Sequence, residues 1–137
     1  MKIILLSHGL FAKEALNTLK MIYGDLQDID YLTLAEGSDM EKYEKDLASL
    51  IMEDGQEKLI ITDVLGGSPY IVSCRIYSSL SEDLKLKVRI ITGMNMPMLL
   101  EVANARNDNS LEDCCAIATS SGKEGIVDVI KKMKGNQ

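Results

Sequence analysis

Ile3-Ile4-Leu5-Leu6, followed at once by Ser7-His8-Gly9, is an unbroken aliphatic run cut off by polar and flexible residues. Four apolar residues without polar alternation describe a strand buried on both faces, as in a parallel sheet covered by helices on each side. Ala12, Ala15, Leu16, Leu19, Ile22 and Tyr23 follow at helical spacing, and Gly24 is the stop signal. Strand, turn and amphipathic helix are the opening unit of an alternating α/β chain.

The alternation continues to the end of the sequence. Ile29 to Leu34 reads as a second strand, and Ser38 or Asp39 as the cap of a helix carrying Tyr43, Leu47, Leu50 and Ile51. Leu59-Ile60-Ile61-Thr62 is a third strand, Asp63 to Gly67 a loop, and Ser68-Pro69 the start of a helix with proline at its first position. Val88 to Thr92 is a fourth strand, after which Gly93-Met94-Asn95-Met96 leads to a helix from Pro97 to about Arg106. Cys114 to Thr119 reads as a fifth apolar strand, and Ile126, Val129, Ile130 and Met133 as a last helix. The expected fold is therefore α/β: an open, mainly parallel, doubly wound sheet with helices on both faces, in one domain over residues 1–137.

Composition narrows the function classes. The formal net charge is −6 with no basic stripe, which argues against nucleic acid and anionic membranes as partners. No apolar run approaches the roughly 18 residues of a membrane span, and Ile3–Leu6 is too short for a signal peptide, so a cytoplasmic location is expected. Three cysteines (Cys74, Cys114 and Cys115) and a single histidine assemble no standard zinc set, and no metal or cofactor is expected. One Phe, five Tyr and no Trp leave little to stack a flavin. Gly66-Gly67-Ser68-Pro69 matches neither the phosphate loop nor the dinucleotide fingerprint.

Open α/β sheets bind ligands beyond the carboxyl ends of their strands, at the point where strand order reverses. If the first and third strands are neighbours there, His8 and Asp63 face one another. Imidazole can act as a nucleophile only through a nitrogen that lacks a proton. A carboxylate accepting from the other nitrogen fixes tautomer and orientation and stabilises the cation that forms. Gly9 and Gly67 lie where backbone can approach an anion, and the Ser68 hydroxyl stands at the positive end of a helix, where it can also serve simply as the N-cap. Leu10, Phe11 and Leu65, with Met94 and Met96, are candidates for an apolar rim that a protein partner would cover.

Three motifs, taken together, resemble one family: Ser7-His8-Gly9; Thr62-Asp63-Val64-Leu65-Gly66-Gly67-Ser68-Pro69; and Asn95-Met96-Pro97-Met98-Leu99. Their order and spacing are similar to those of the IIA component of the mannose/fructose/sorbose branch of the bacterial sugar phosphotransferase system, over nearly the whole chain. The resemblance implies a phosphotransferase that carries a phosphoryl group on His8. The group would come from phospho-HPr and pass to a IIB component, then to sugar crossing the membrane through IIC and IID, where sugar specificity resides. It further implies that Asp63 supports His8, that Ser68 contacts the phosphoryl group, and that the protein is a homodimer. The last strand, matched to Cys114–Thr119, would be exchanged between subunits and lie antiparallel at the sheet edge. Val64-Leu65 departs from a more polar-aromatic pair, and Ser7 stands where Thr is also expected. With Gln137 closing the sequence, IIB is expected as a separate polypeptide. Two alternatives are the IIA-like phosphotransferase subunit of a dihydroxyacetone kinase and a regulatory domain signalled by histidine phosphorylation.

Overall fold

The structure is a computed structural model that describes residues 1–135. Strands β1 (Lys2–His8), β2 (Ile29–Leu34), β3 (Lys58–Thr62) and β4 (Val88–Thr92) form one sheet in the order β2-β1-β3-β4, with every pairing parallel. Helices α1 (Phe11–Tyr23), α2 (Met40–Met52), α3 (Ser68–Ser79), α5 (Met96–Ala105) and α6 (Leu111–Glu124) cover it, with short helices α4 (Glu82–Lys85) and α7 (Val129–Met133). Ile3, Ile4, Leu5 and Leu6 are all buried because β1 is a central strand with helices above and below.

The alternating side chains of the central strands feed two cores. Ile3, Leu5, Leu59 and Ile61 pack against α1, α5 and α6, while Ile4, Leu6 and Ile60 pack against α2 and α3. Helices α1 and α3, which follow the neighbouring strands β1 and β3, therefore lie on opposite faces. The chain reverses direction across the sheet between those strands, and a crevice opens at their carboxyl ends.

One expectation is overturned. Cys114–Thr119 is not a strand but the middle of α6, and among the described residues the sheet has four strands, none antiparallel. Leu111, Cys114, Ala118 and Gly122 are the buried residues of α6 and recur at helical intervals, a period a six-residue apolar window cannot show. The Ser110 hydroxyl accepts from the Asp113 amide and starts the helix at a cap that the sequence displays. An exchanged antiparallel edge strand at 114–119 is thereby excluded. Asn95 ties this region together: its Oδ1 accepts from the Met98 amide at the start of α5, and its side-chain amide donates to the Gly122 carbonyl of α6. Gly122 and Gly125 are small because Met98 and Pro97 occupy the space a Cβ would need.

Candidate functional site

The parallel pairing of β1 with β3 ends at Leu6 opposite Thr62. The next residues, Ser7-His8 and Asp63, leave the sheet side by side at the crevice. Ser7 is fully buried, and its hydroxyl accepts from the Ala12 amide at 2.6 Å, closing the turn that launches α1. Its role is structural. Gly9 has φ +54, a left-handed conformation that glycine adopts without penalty, and its amide extends the β1–β2 ladder by donating to the Leu34 carbonyl.

His8 and Asp63 meet as the sequence suggests. Asp63 Oδ2 accepts from the His8 amide at 2.9 Å and from the His8 ring Nδ1 at 2.8 Å, and Oδ1 accepts from the Val64 amide at 2.9 Å. Burial pushes the Asp63 carboxyl up, but these hydrogen bonds from His8 and Val64 outweigh it and hold the carboxyl below its ordinary value. The carboxylate is thus ionised near neutrality and can only accept, so Nδ1 carries the proton and Nε2 is left with its lone pair. The His8 side chain is 49% exposed whereas that of Asp63 is 11% exposed. The buried partner holds the ring, and the ring faces out.

Gly67 presses on the other side of the imidazole. A Cβ there would come within 2.7 Å of His8 Cε1 and 3.0 Å of the Val64 side chain. Its φ of −73 is open to any residue, so close approach alone requires glycine. The amides of Gly9 and Gly67 correct one expectation. They donate to the carbonyls of Leu34 and Val64 and so do not face an incoming anion. Ser68 corrects another. It is the first residue of α3 rather than its cap, and its hydroxyl has no hydrogen-bond partner among the described residues. Pro69 lacks an N–H, so the amides of Ser68 and Tyr70 are the first-turn donors of α3 without an intrahelical acceptor.

Leu10, Phe11 and Leu65, in the segments that adjoin His8 and Gly67, are exposed, as are Val64 and Ile71, which the sequence reading did not single out. Met94, by contrast, is largely buried in the core beneath α1 and α5 and reaches the surface only in the wall of the small cavity beside Met96. Met96 is half-buried, and with Phe11 and Thr18 it lines a small cavity of about 160 Å³. On its other side His8 borders a groove of about 430 Å³ formed with Leu34 and the Ala35–Ser38 loop. That loop was legible only as a connection, because its relevance depends on β2 lying beside β1. Among the described residues no three His, Cys, Asp or Glu side chains are placed to share a metal ion. Burial raises the thiols of Cys114 and Cys115, as expected of packing residues.

Residues 2–119 match the family model EIIA-man, described as the PTS system fructose IIA component. The chain belongs to this family. It is 30% identical to the PTS system sorbose-specific EIIA component of Lacticaseibacillus casei, covering 99% of this chain and 96% of that one. It is 32% identical to the PTS system mannose-specific EIIAB component of Escherichia coli over 90% of its own length, but spans only 38% of that relative. The fold superposes on the crystal structure of phosphotransferase system component EIIA from Streptococcus agalactiae with a TM-score of 0.86 and 28% identity, covering 95% of this chain and 98% of the other. The chain is thus a IIA domain of the phosphotransferase-system type. No described helix is long and apolar enough to cross a membrane.

Proposed function

We propose that this IIA domain is a cytoplasmic phosphoryl carrier that takes the group from phospho-HPr on His8 Nε2 and hands it to a IIB component. The observation that carries this reading is the Nδ1–Oδ2 contact of 2.8 Å, which leaves Nε2 as the unprotonated nitrogen on an exposed ring. In the first transfer the Nε2 lone pair attacks phosphorus, the donor's N–P bond breaks, and its electron pair returns to the donor imidazole. Asp63 stabilises the positive charge that builds on the His8 ring and keeps the proton on Nδ1. A second nucleophile, on IIB, reverses these roles.

Transfer of this kind depends on positioning and on charge stabilisation around the phosphoryl oxygens. The unpaired amides of Ser68 and Tyr70 and the Ser68 hydroxyl, at the positive end of α3, are the proposed donors. Leu10, Phe11, Val64, Leu65 and Ile71 form the proposed apolar rim that HPr and IIB cover in turn. Met94 and Met96, in the wall of the cavity beside Phe11, border that rim. The sugar would then receive the phosphoryl group from IIB as it crosses the membrane through IIC and IID.

Incubation with HPr, its kinase and phosphoenolpyruvate should give an acid-labile adduct on the wild-type chain and none on His8→Ala. Label retained by that variant removes His8 from the reaction. A homodimer is proposed on a narrower ground, the exposed Ile126, Val129, Ile130 and Met133 beyond α6, and a chain that sediments as a monomer rules it out.

A further inference from the structure

The groove of about 430 Å³ beside His8 has a lining of uneven character. Leu34 and Met40 give it apolar walls, while Gly9 and Gly37 leave part of its border without side chains. Both glycines have positive φ, +54 and +75, a backbone that other residues resist, so the groove is kept open by the loops themselves. Glu36 is the one carboxylate on its border, and no lysine or arginine lines it.

Glu36 has no counter-ion. It is exposed and makes no ion pair or side-chain hydrogen bond among the described residues. Two charged side chains that follow it are engaged elsewhere: Asp39 accepts from the Glu41 and Lys42 amides as the cap of α2, and Lys42 pairs with Asp46 at 2.7 Å. A free carboxylate is ordinary on a solvated surface, but this one shares a groove with the nucleophile. A donor must bring an anionic phosphoryl group to His8 on a chain of net charge −6, against a carboxylate already in place. A long side chain with an aliphatic stem and a cationic head fits both the walls and the charge.

We propose that this groove is the docking site for a lysine or arginine side chain of the phosphoryl donor, with Glu36 as its counter-charge. The stem lies along Leu34 and Met40, and the head meets the Glu36 carboxylate. The phosphoryl group then arrives with a cation beside it, and Glu36 attracts the loaded donor instead of repelling it. The acceptor arrives without the anion and needs no such pairing, so Glu36 serves the loading of His8 rather than its discharge. The place of this contact in the reaction rests on the carrier reading above; the contact itself is read by binding.

The test compares wild type with Glu36→Gln and Glu36→Lys, using HPr as the donor. Because Glu36 is exposed and unpaired, both variants should melt as wild type does. At low ionic strength Glu36→Gln should raise the KM for phospho-HPr about three- to fivefold and Glu36→Lys about tenfold, with kcat within about a factor of two. Both differences should shrink in about 0.5 M salt. One charge reversal on HPr, of a lysine or arginine to glutamate, should restore the KM of Glu36→Lys, and transfer to IIB should be unmoved by Glu36→Gln. A KM unmoved by Glu36→Lys at low salt overturns the proposal, as does a shift that no single reversal on HPr relieves. An equal effect on transfer to IIB overturns the assignment to the donor. Calorimetry with unphosphorylated HPr should rank the three chains in the same order of Kd, and a wild-type chain that does not bind HPr also overturns the proposal. If that order holds while wild type accepts no phosphoryl group, the carrier reading fails and the contact stands.

Discussion

At the amino-terminal edge of the sheet, Lys58 is fully buried and its ammonium donates to the Glu53 carbonyl at 2.8 Å, the Asp54 carboxylate at 2.9 Å and the Gln56 carbonyl at 3.0 Å. Asp54 adopts φ +57 in the tight turn wrapped around that ammonium. At the opposite edge His8 is held by one buried carboxylate and left half-exposed, with Nε2 unpartnered among the described residues. Both clusters pair a nitrogen-bearing side chain with an aspartate. The first uses all three of the ammonium's donors on protein atoms, whereas the second leaves a reactive atom facing out. A closed polar network holds structure together, and an open one has capacity left for chemistry.

Breaking the open cluster should cost transfer and little stability. Short of removing His8 itself, Asp63→Asn is the most damaging change: an amide can donate to Nδ1 and move the proton to Nε2, so phosphoryl transfer should fall by about 10³- to 10⁴-fold. Initial rates with phospho-HPr measure this, and a rate within a factor of a few of wild type would separate Asp63 from the mechanism. Gly67→Ala should follow at roughly 10²-fold, because the new methyl must displace an imidazole that Asp63 prevents from yielding freely. An unshifted melting curve beside the slowed transfer would place the effect on ring position.

Breaking the closed cluster should do the reverse. Lys58→Met removes the ammonium and with it all three hydrogen bonds it donates to Glu53, Asp54 and Gln56, for a loss of about 2–3 kcal/mol of stability. Urea denaturation reads that loss, and transfer by the folded fraction should stay at the wild-type rate. If Lys58→Met slows transfer without destabilising the chain, the division between the two edges fails.

The alternation of strands and helices was legible because continuous runs such as Ile3–Leu6 and Leu59–Thr62 have few other uses in a chain of this size. The pairing of His8 with Asp63 was legible once β1 and β3 were taken as neighbours, since both residues then leave the sheet at one place. Cys114–Thr119 was misread because its apolar residues are consecutive, and only the wider set from Leu111 to Gly122 reveals one buried helical face. The use of the Gly9 and Gly67 amides on backbone carbonyls, and the press of Gly67 against His8, are properties of loop closure rather than of residue type.

The parallel order of the central strands also has a kinetic meaning. His8 and Asp63 are 55 residues apart in the chain, and a full helix–strand–helix–strand passage separates them. During synthesis His8 emerges long before its carboxylate exists, so a nascent or partly folded chain holds the imidazole without its partner. Non-local pairings of this kind form late and slowly compared with the helices between them. The hydrogen bond between Nδ1 and Oδ2 is thus a reporter of β1–β3 docking, and competence for transfer should appear with that step rather than with the first helical signal.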